Sequence, residues 1–224
     1  MQYRRFGKTN LQLSVFSLGT MRYLASRDVA SDVIQMAIEQ GINHIETAQG
    51  YGKSEEYLGA ALRESLDFSQ SSICRDDLCI TTKITPTADA ATMTEQIDRS
   101  LHRLQLESID CLGIHGINTP QHLEWIQAPK GCMAAVRAAV DEGKVRHVGF
   151  STHAPLDIIM AAIATDQFEF VNLHYYTFFQ RNEAAIALAN DKDMGVFIIS
   201  PADKGGCSTR HRRNYATHVR RLRP

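Results

Sequence analysis

Short apolar runs alternate with helical segments along most of this chain, and that alternation limits what it can become. The runs are 15–19, 42–46, 78–83, 109–115, 147–151, 170–174 and 195–200, each five to seven residues long. Between them the apolar residues recur at helical spacing, as Val33, Ile34, Ala37 and Ile38 do before Gly41. Units of roughly 30 residues are what a βα repeat needs. Such a repeat builds a parallel sheet with right-handed crossovers, because each helix must carry the chain back to the start of the next strand.

Two parallel architectures compete. A doubly wound open sheet usually carries a glycine-rich phosphate turn after its first strand. Here Gly19-Thr20-Met21 lacks the G-x-G-x-x-G pattern. A (β/α)₈ barrel instead gathers polar residues at the C-terminal ends of several strands. Those ends read Glu46, Lys83, His115, Ser151, His174 and Ser200. The expected fold is therefore a (β/α)₈ TIM barrel with about seven βα units. Residues 3–14 precede it as a hairpin turning at Gly7-Lys8-Thr9-Asn10.

Local signals fill in the rest. Ser54-Glu55-Glu56 opens a helix whose Tyr57, Leu58, Ala61 and Leu62 face inward. Thr92 and Glu95 have capping-box spacing ahead of Ile97, Leu101 and Leu104. Met133 to Glu142 forms a helix closed by Gly143, Pro155 suits the first turn of another, and Asn182 caps the last, through about Asp191.

Composition narrows the function class. Of the 224 residues 44% are hydrophobic and 22% charged, an ordinary profile for a soluble domain. No apolar run reaches membrane-spanning length, and the first residues do not form a signal peptide. Five cysteines without a C-x-x-C pair argue against a disulfide framework, a zinc site or an iron–sulfur cluster, and fit a reducing cytoplasm. After Gly206 come six arginines and no acid; taking those six from the 24 Lys and Arg leaves 18 against 25 Asp and Glu, so residues 1–206 carry −7. Residues 207–224 read as a disordered basic tail. It has no nucleic-acid-binding motif, so a solvated terminus is the expectation.

The chemistry concentrates in 44–52, His-Ile-Glu-Thr-Ala-Gln-Gly-Tyr-Gly. It sets a carboxylate at a strand tip and a tyrosine on the loop that follows, where Gly50 and Gly52 free the backbone to turn. A phenol titrates near 10. A lysine beside it favours the phenolate, and a carboxylate beside the lysine keeps that lysine charged. Tyr51, with Lys83 and Glu46, then becomes a usable general acid. His115 can donate a hydrogen bond to a carbonyl oxygen as charge grows there. The set suits reduction of a carbonyl by hydride from a bound cofactor. A different reading has His115, His153, His174 and Glu46 converge on a metal ion, as in a barrel hydrolase.

These residues resemble the aldo-keto reductases, over residues 1 to about 206. The matching pieces are Leu18-Gly19-Thr20-Met21, 46–52, Thr82-Lys83, Ile114-His115, Gly149-Phe150-Ser151 and Ser200-Pro201. Ile114–Asn118 and Ser200–Gly206 look like the branch whose longer members end in a ferredoxin-like iron–sulfur segment. The resemblance implies a barrel with an N-terminal hairpin over its base and reduction of an aldehyde or ketone with NADPH. It implies Tyr51 as proton donor, Lys83 as the residue that tunes it, His115 as the carbonyl-orienting residue and Glu46 in the place of a supporting aspartate. Thr20, Met21, Ser151, Asn172 and Ser200 are the implied cofactor contacts, Asn172 standing where the family has glutamine and Thr152 where it has asparagine.

The departures carry expectations of their own. Glu46 is one methylene longer than the aspartate, about 1.5 Å on standard bond lengths. Barrels of this kind take about 250 residues. From Cys207 to Pro224, where the resemblance would place an eighth strand and the adenosine and 2′-phosphate contacts, the sequence shows none of them. An unclosed barrel, exposed strand edges and self-association through them follow as expectations, as does a competing reading in which the chain is an inactive barrel remnant.

Overall fold

The computed structural model describes residues 1–21, 26–67 and 74–201. The tail expected at 207–224 lies outside the described residues. Strands β1 (Tyr3–Arg5) and β2 (Gln12–Ser14) form the antiparallel hairpin, joined by a turn in which Asn10 adopts a left-handed conformation. The main sheet has seven parallel strands: β3 (Leu18–Gly19), β4 (His44–Glu46), β5 (Cys79–Ile84), β6 (Ile109–His115), β7 (Val145–Ser151), β8 (Phe170–Leu173) and β9 (Gly195–Ile198). Each strand pairs with the next in sequence, so the sheet curls as a barrel does. Among the described residues β3 and β9 do not pair, and a seam stays open between them.

Among the described residues seven α-helices clothe the outside: α1 (Arg27–Glu39), α2 (Ser54–Asp67), α3 (Ala90–Leu104), α4 (Pro120–Gln127), α5 (Cys132–Asp141), α6 (Leu156–Ala164) and α7 (Glu183–Asp191). The amphipathic faces explain the packing. In α1 the buried side chains are Ala30, Ile34, Ala37 and Ile38, one stripe at 3.6-residue spacing. The Ser26 hydroxyl accepts from the Val29 N–H at 3.2 Å to start that helix, and Gly41, at φ +82°, takes the chain past its end. Central strands are buried on both faces, so all of β5 and all of β6 but its last residue are buried without alternation.

Several local expectations are corrected. The helix at 90–104 begins earlier than the Thr92–Glu95 spacing implies: Asp89 is its cap, accepting from the Thr92 N–H at 2.8 Å. A carboxylate one turn upstream reaches the free N–H groups first. Helix α4 was not anticipated; Thr119 caps it and Pro120 occupies its first turn. Pro155 sits just before α6 rather than in its first turn. The first strand shrinks to two residues, with Phe16 72% exposed, because no neighbour covers that edge. Val33 and Tyr57 are not core residues.

The hairpin closes the base of the curl. Phe6 packs against Phe170, ring centroids 5.5 Å apart, and lies where a β-carbon on Gly195 would be. Above that floor His44 is buried, its ring nitrogens 2.8 Å from the Ser17 and Thr81 hydroxyls. Burial pushes its pKa down to about 4, with Lys83 adding and Glu46 and Asp110 opposing. The sign is that of a buried neutral histidine. Its contribution is fully present above the unfolded value near 6.5 and is lost as pH falls toward 4.

The strand registers set the height of the polar side chains. His115 is level with Ser151, and Ser151 with Asn172. Gly149 fixes this level, because a β-carbon there would sit 2.4 Å from the Phe170 ring. Gly149→Ala should push β8 off β7 and cost about 1–3 kcal/mol in denaturant unfolding; an unchanged midpoint would show the strands are free to adjust. For His44, the stability lost by the parent between pH 7 and pH 4 should include a share on the order of 3 kcal/mol that His44→Gln lacks. The gap between the two proteins should therefore narrow as pH falls, and a constant gap would contradict the burial.

Candidate active site

The mouth of the curl is built by strand ends and the loops that leave them. The loop after β4 turns tightly: the Tyr51 N–H donates to the Ala48 carbonyl at 3.0 Å, and Gly52 follows at φ +60°. Gly50 needs no such freedom, since a β-carbon there would meet nothing within 4 Å. Ser54, expected as a cap, sits in a buried hydroxyl cluster instead. It lies 2.6 Å from the Thr20 hydroxyl and accepts from the Thr47 hydroxyl at 2.9 Å. That cluster ties the loop after β3 to the loop after β4.

Lys83 is the centre of the site. It is 2% exposed on β5, and its Nζ lies 2.7 Å from Glu46 Oε1 and donates to the Thr47 carbonyl at 2.9 Å. Room for its stem comes from Gly113, level with it on β6, where a β-carbon would approach Lys83 Cγ to 3.0 Å. Sequence reasoning passed over Gly113. A glycine inside an apolar strand was the available signal, since it marks a close approach. Burial holds the Lys83 pKa below the usual lysine value, and Glu46 opposes that shift.

Tyr51 and His115 stand over this pair. Their rings meet edge to face, centroids 5.7 Å apart, and Lys83 Nζ lies 5.1 Å from the Tyr51 ring centroid. The Tyr51 pKa is pushed up to about 12, by burial first and by the Glu46 carboxylate second. The direction is opposite to the lowering expected from Lys83. The ammonium is paired with Glu46, and burial outweighs it at the phenol. His115 is pushed down to about 4 by burial, then by Lys83, with Glu46 opposing and His153 adding. At neutral pH the site therefore presents a protonated phenol and a neutral imidazole.

The remaining residues named from sequence share one cavity with these four. All nine line a space of about 1190 Å³ that opens along the seam between β3 and β9. Thr20 is fully buried, its hydroxyl donating to the Glu46 carbonyl at 3.1 Å, so it supports the loop more than it faces a ligand. Met21 is 43% exposed at the rim. Ser200, after β9, takes a left-handed backbone at φ +50°. Ser151 Oγ accepts from the Gly116 N–H at 3.2 Å, which orients its hydroxyl. Asn172 also lines the cavity, and its amide donates to Glu46 Oε2.

The metal-site alternative is not assembled. Among the described residues no group of three or more His, Cys, Asp or Glu is arranged to hold a metal ion. Glu46 is committed to Lys83 and Asn172, and His153 lies against His174, ring centroids 4.8 Å apart. No helix among the described residues is long and apolar enough to cross a membrane.

Comparison with known proteins gives a consistent result. An uncharacterized oxidoreductase of Bacillus subtilis is 25% identical over 92% of this chain and 66% of its own length. L-glyceraldehyde 3-phosphate reductase of Escherichia coli is 31% identical over 69% of this chain and 46% of its own length. The chain thus spans about half to two thirds of the length of these curated relatives. Among solved structures, an aldo-keto reductase of Bacillus halodurans in its holo form superposes with a TM-score of 0.78, covering 92% of this chain and 68% of its own at 23% identity. A Pseudomonas aeruginosa structure described as a putative aldo-keto reductase gives 0.73 at 25% identity, covering 88% and 77%. The model of the aldo/keto reductase family matches residues 16–224, and the chain belongs to that family.

Proposed function

We propose that this chain is an NADP(H)-dependent oxidoreductase that reduces an aldehyde or ketone, with Tyr51 as the general acid. The observation that carries the reading is the grouping of Tyr51, Lys83, Glu46 and His115 in one cavity. A bound nicotinamide supplies the hydride. Ser151, Met21 and Ser200 line the space in which it would lie, and the Ser151 hydroxyl suits a carboxamide oxygen.

The residues of the chain divide the rest of the work. The Tyr51 hydroxyl gives its proton to the carbonyl oxygen as negative charge builds there. A pKa near 12 keeps that proton in place until a substrate arrives. His115, neutral at pH 7, offers a ring N–H to the same oxygen without adding a competing charge. Lys83 stands beside the ring to stabilise the phenolate that proton transfer leaves behind. Glu46 and the Thr47 carbonyl hold Lys83 in that place.

The substrate class is a small carbonyl compound. One relative is named for a phosphorylated aldehyde, which agrees with that class. The open seam favours a second reading, a barrel that no longer retains its cofactor. Titration of NADPH and NADH, followed by nicotinamide fluorescence, separates the two. Saturable NADPH binding is expected for the reductase and none for the remnant. In a binding-competent chain, Tyr51→Phe should lower carbonyl reduction by about 10²–10⁴-fold, the usual worth of a positioned acid, while NADPH affinity stays put. Equal rates in the two proteins would remove Tyr51 from the role.

A further inference from the structure

We infer that Asn172 is a positioning residue for the Lys83–Glu46 pair, and that these three side chains form one unit across the barrel. The inference rests on the reductase reading for its catalytic meaning, though not for its geometry. Glu46 leaves β4 and Asn172 leaves β8, strands on opposite sides of the curl, 126 residues apart in sequence. Both side chains are buried, Glu46 at 7% and Asn172 at 2% exposure. Glu46 divides its oxygens between two partners: Oε1 faces Lys83 Nζ at 2.7 Å, and Oε2 accepts from the Asn172 amide.

Each bond has a separate effect. The salt bridge decides where the ammonium sits. The amide decides which way the carboxylate turns, because an acid with one oxygen held cannot swing toward the open cavity. Without the amide, a buried carboxylate oxygen would lack a donor, a costly state inside a protein. The register supports the arrangement from both sides. Asn172 is level with Ser151 on β7 and Phe197 on β9, and its carbonyl accepts from the Thr152 N–H at 3.1 Å, so its backbone is fixed. With one amide N–H spent on Glu46, Asn172 has less to offer a cofactor carboxamide, and Ser151, level with it on β7, is the neighbouring polar side chain of the cavity.

Reach makes the unit testable. A long acid meets a short amide across a fixed gap between strands. Shortening the acid alone opens the gap by about 1.5 Å, one methylene. Lengthening the amide alone crowds it. Moving the methylene from one side chain to the other restores the span. Glu46→Asp and Asn172→Gln should each lower the melting temperature, and the double variant should melt above both. Melting of the double variant at the sum of the two losses would overturn the proposal.

A second readout needs neither cofactor nor substrate and does not depend on the double variant. In a crystal structure of Asn172→Ala the Glu46 carboxylate should turn away from its parent orientation, because the donor that holds Oε2 has gone. An unchanged carboxylate orientation would overturn the proposal. Activity adds the catalytic meaning: Asn172→Ala should lower kcat, with NADPH affinity within about threefold of the parent. A loss confined to NADPH affinity would make Asn172 a cofactor ligand and refute the positioning role. If the parent chain binds no nicotinamide at all, the reductase reading fails, while the carboxylate orientation and the melting results still decide the three-residue unit.

Discussion

The candidate site depends on one buried ion pair. Lys83 and Glu46 are both almost out of water, and removing two charges from water costs several kcal/mol per ion. Their attraction alone is a doubtful source of stability, since such pairs are often replaceable by packed apolar side chains. What offsets the cost here is the set of further bonds: the Thr47 carbonyl on the lysine and the Asn172 amide on the acid. The pair links β4 to β5 and, through Asn172, reaches β8. Its retention in the interior makes better sense as a device for placing charge than as a source of stability.

The same pair explains the protonation states above it. A lone ammonium near Tyr51 would draw the phenol toward ionisation. One paired with Glu46 does so less, and burial then prevails, which is why the phenol is driven toward 12 instead of below 10. In the proposed reaction this is a resting condition. A growing charge on the tyrosine oxygen would have a cation within reach, whereas the resting hydroxyl has little incentive to lose its proton. His115 follows the same logic with opposite sign, held neutral by the dry surroundings and the nearby lysine.

Much of this was legible in the sequence because a barrel writes its geometry in two simple codes. Parallel strands buried on both faces appear as apolar runs, and their polar termini mark the mouth. So Glu46, Lys83, His115 and Ser151 could be named at the correct strand ends. Contacts between strands far apart in the chain were not legible. Glu46 and Asn172 stood out as two unrelated departures from the family pattern, and only the curl of the sheet brings them together. Helix α4 was missed because it is eight residues long and lies in a loop that the repeat does not require. The exposure of Phe16 follows from the open seam, which no local pattern of residues encodes.

The hairpin bridges that seam at its lower end. On one side the Tyr3 hydroxyl donates to the Gly41 carbonyl and the Ser14 N–H to Asn43 Oδ1. On the other, Arg5 pairs with Asp193, the Lys8 N–H donates to the Asp193 carbonyl, and Phe6 fits over Gly195. The first few residues of the chain therefore rest on an element that emerges from the ribosome nearly 190 positions later. Contacts of such separation carry a large loop-closure cost and form slowly. A nascent chain must hold its N-terminal hairpin unanchored on one side through the making of six strands, with Phe6 lacking its partners until Phe170 and then Gly195 arrive. Synthesis order thus makes the base of the curl among the last parts to settle, and leaves the growing chain's apolar floor open to chaperones for most of that time.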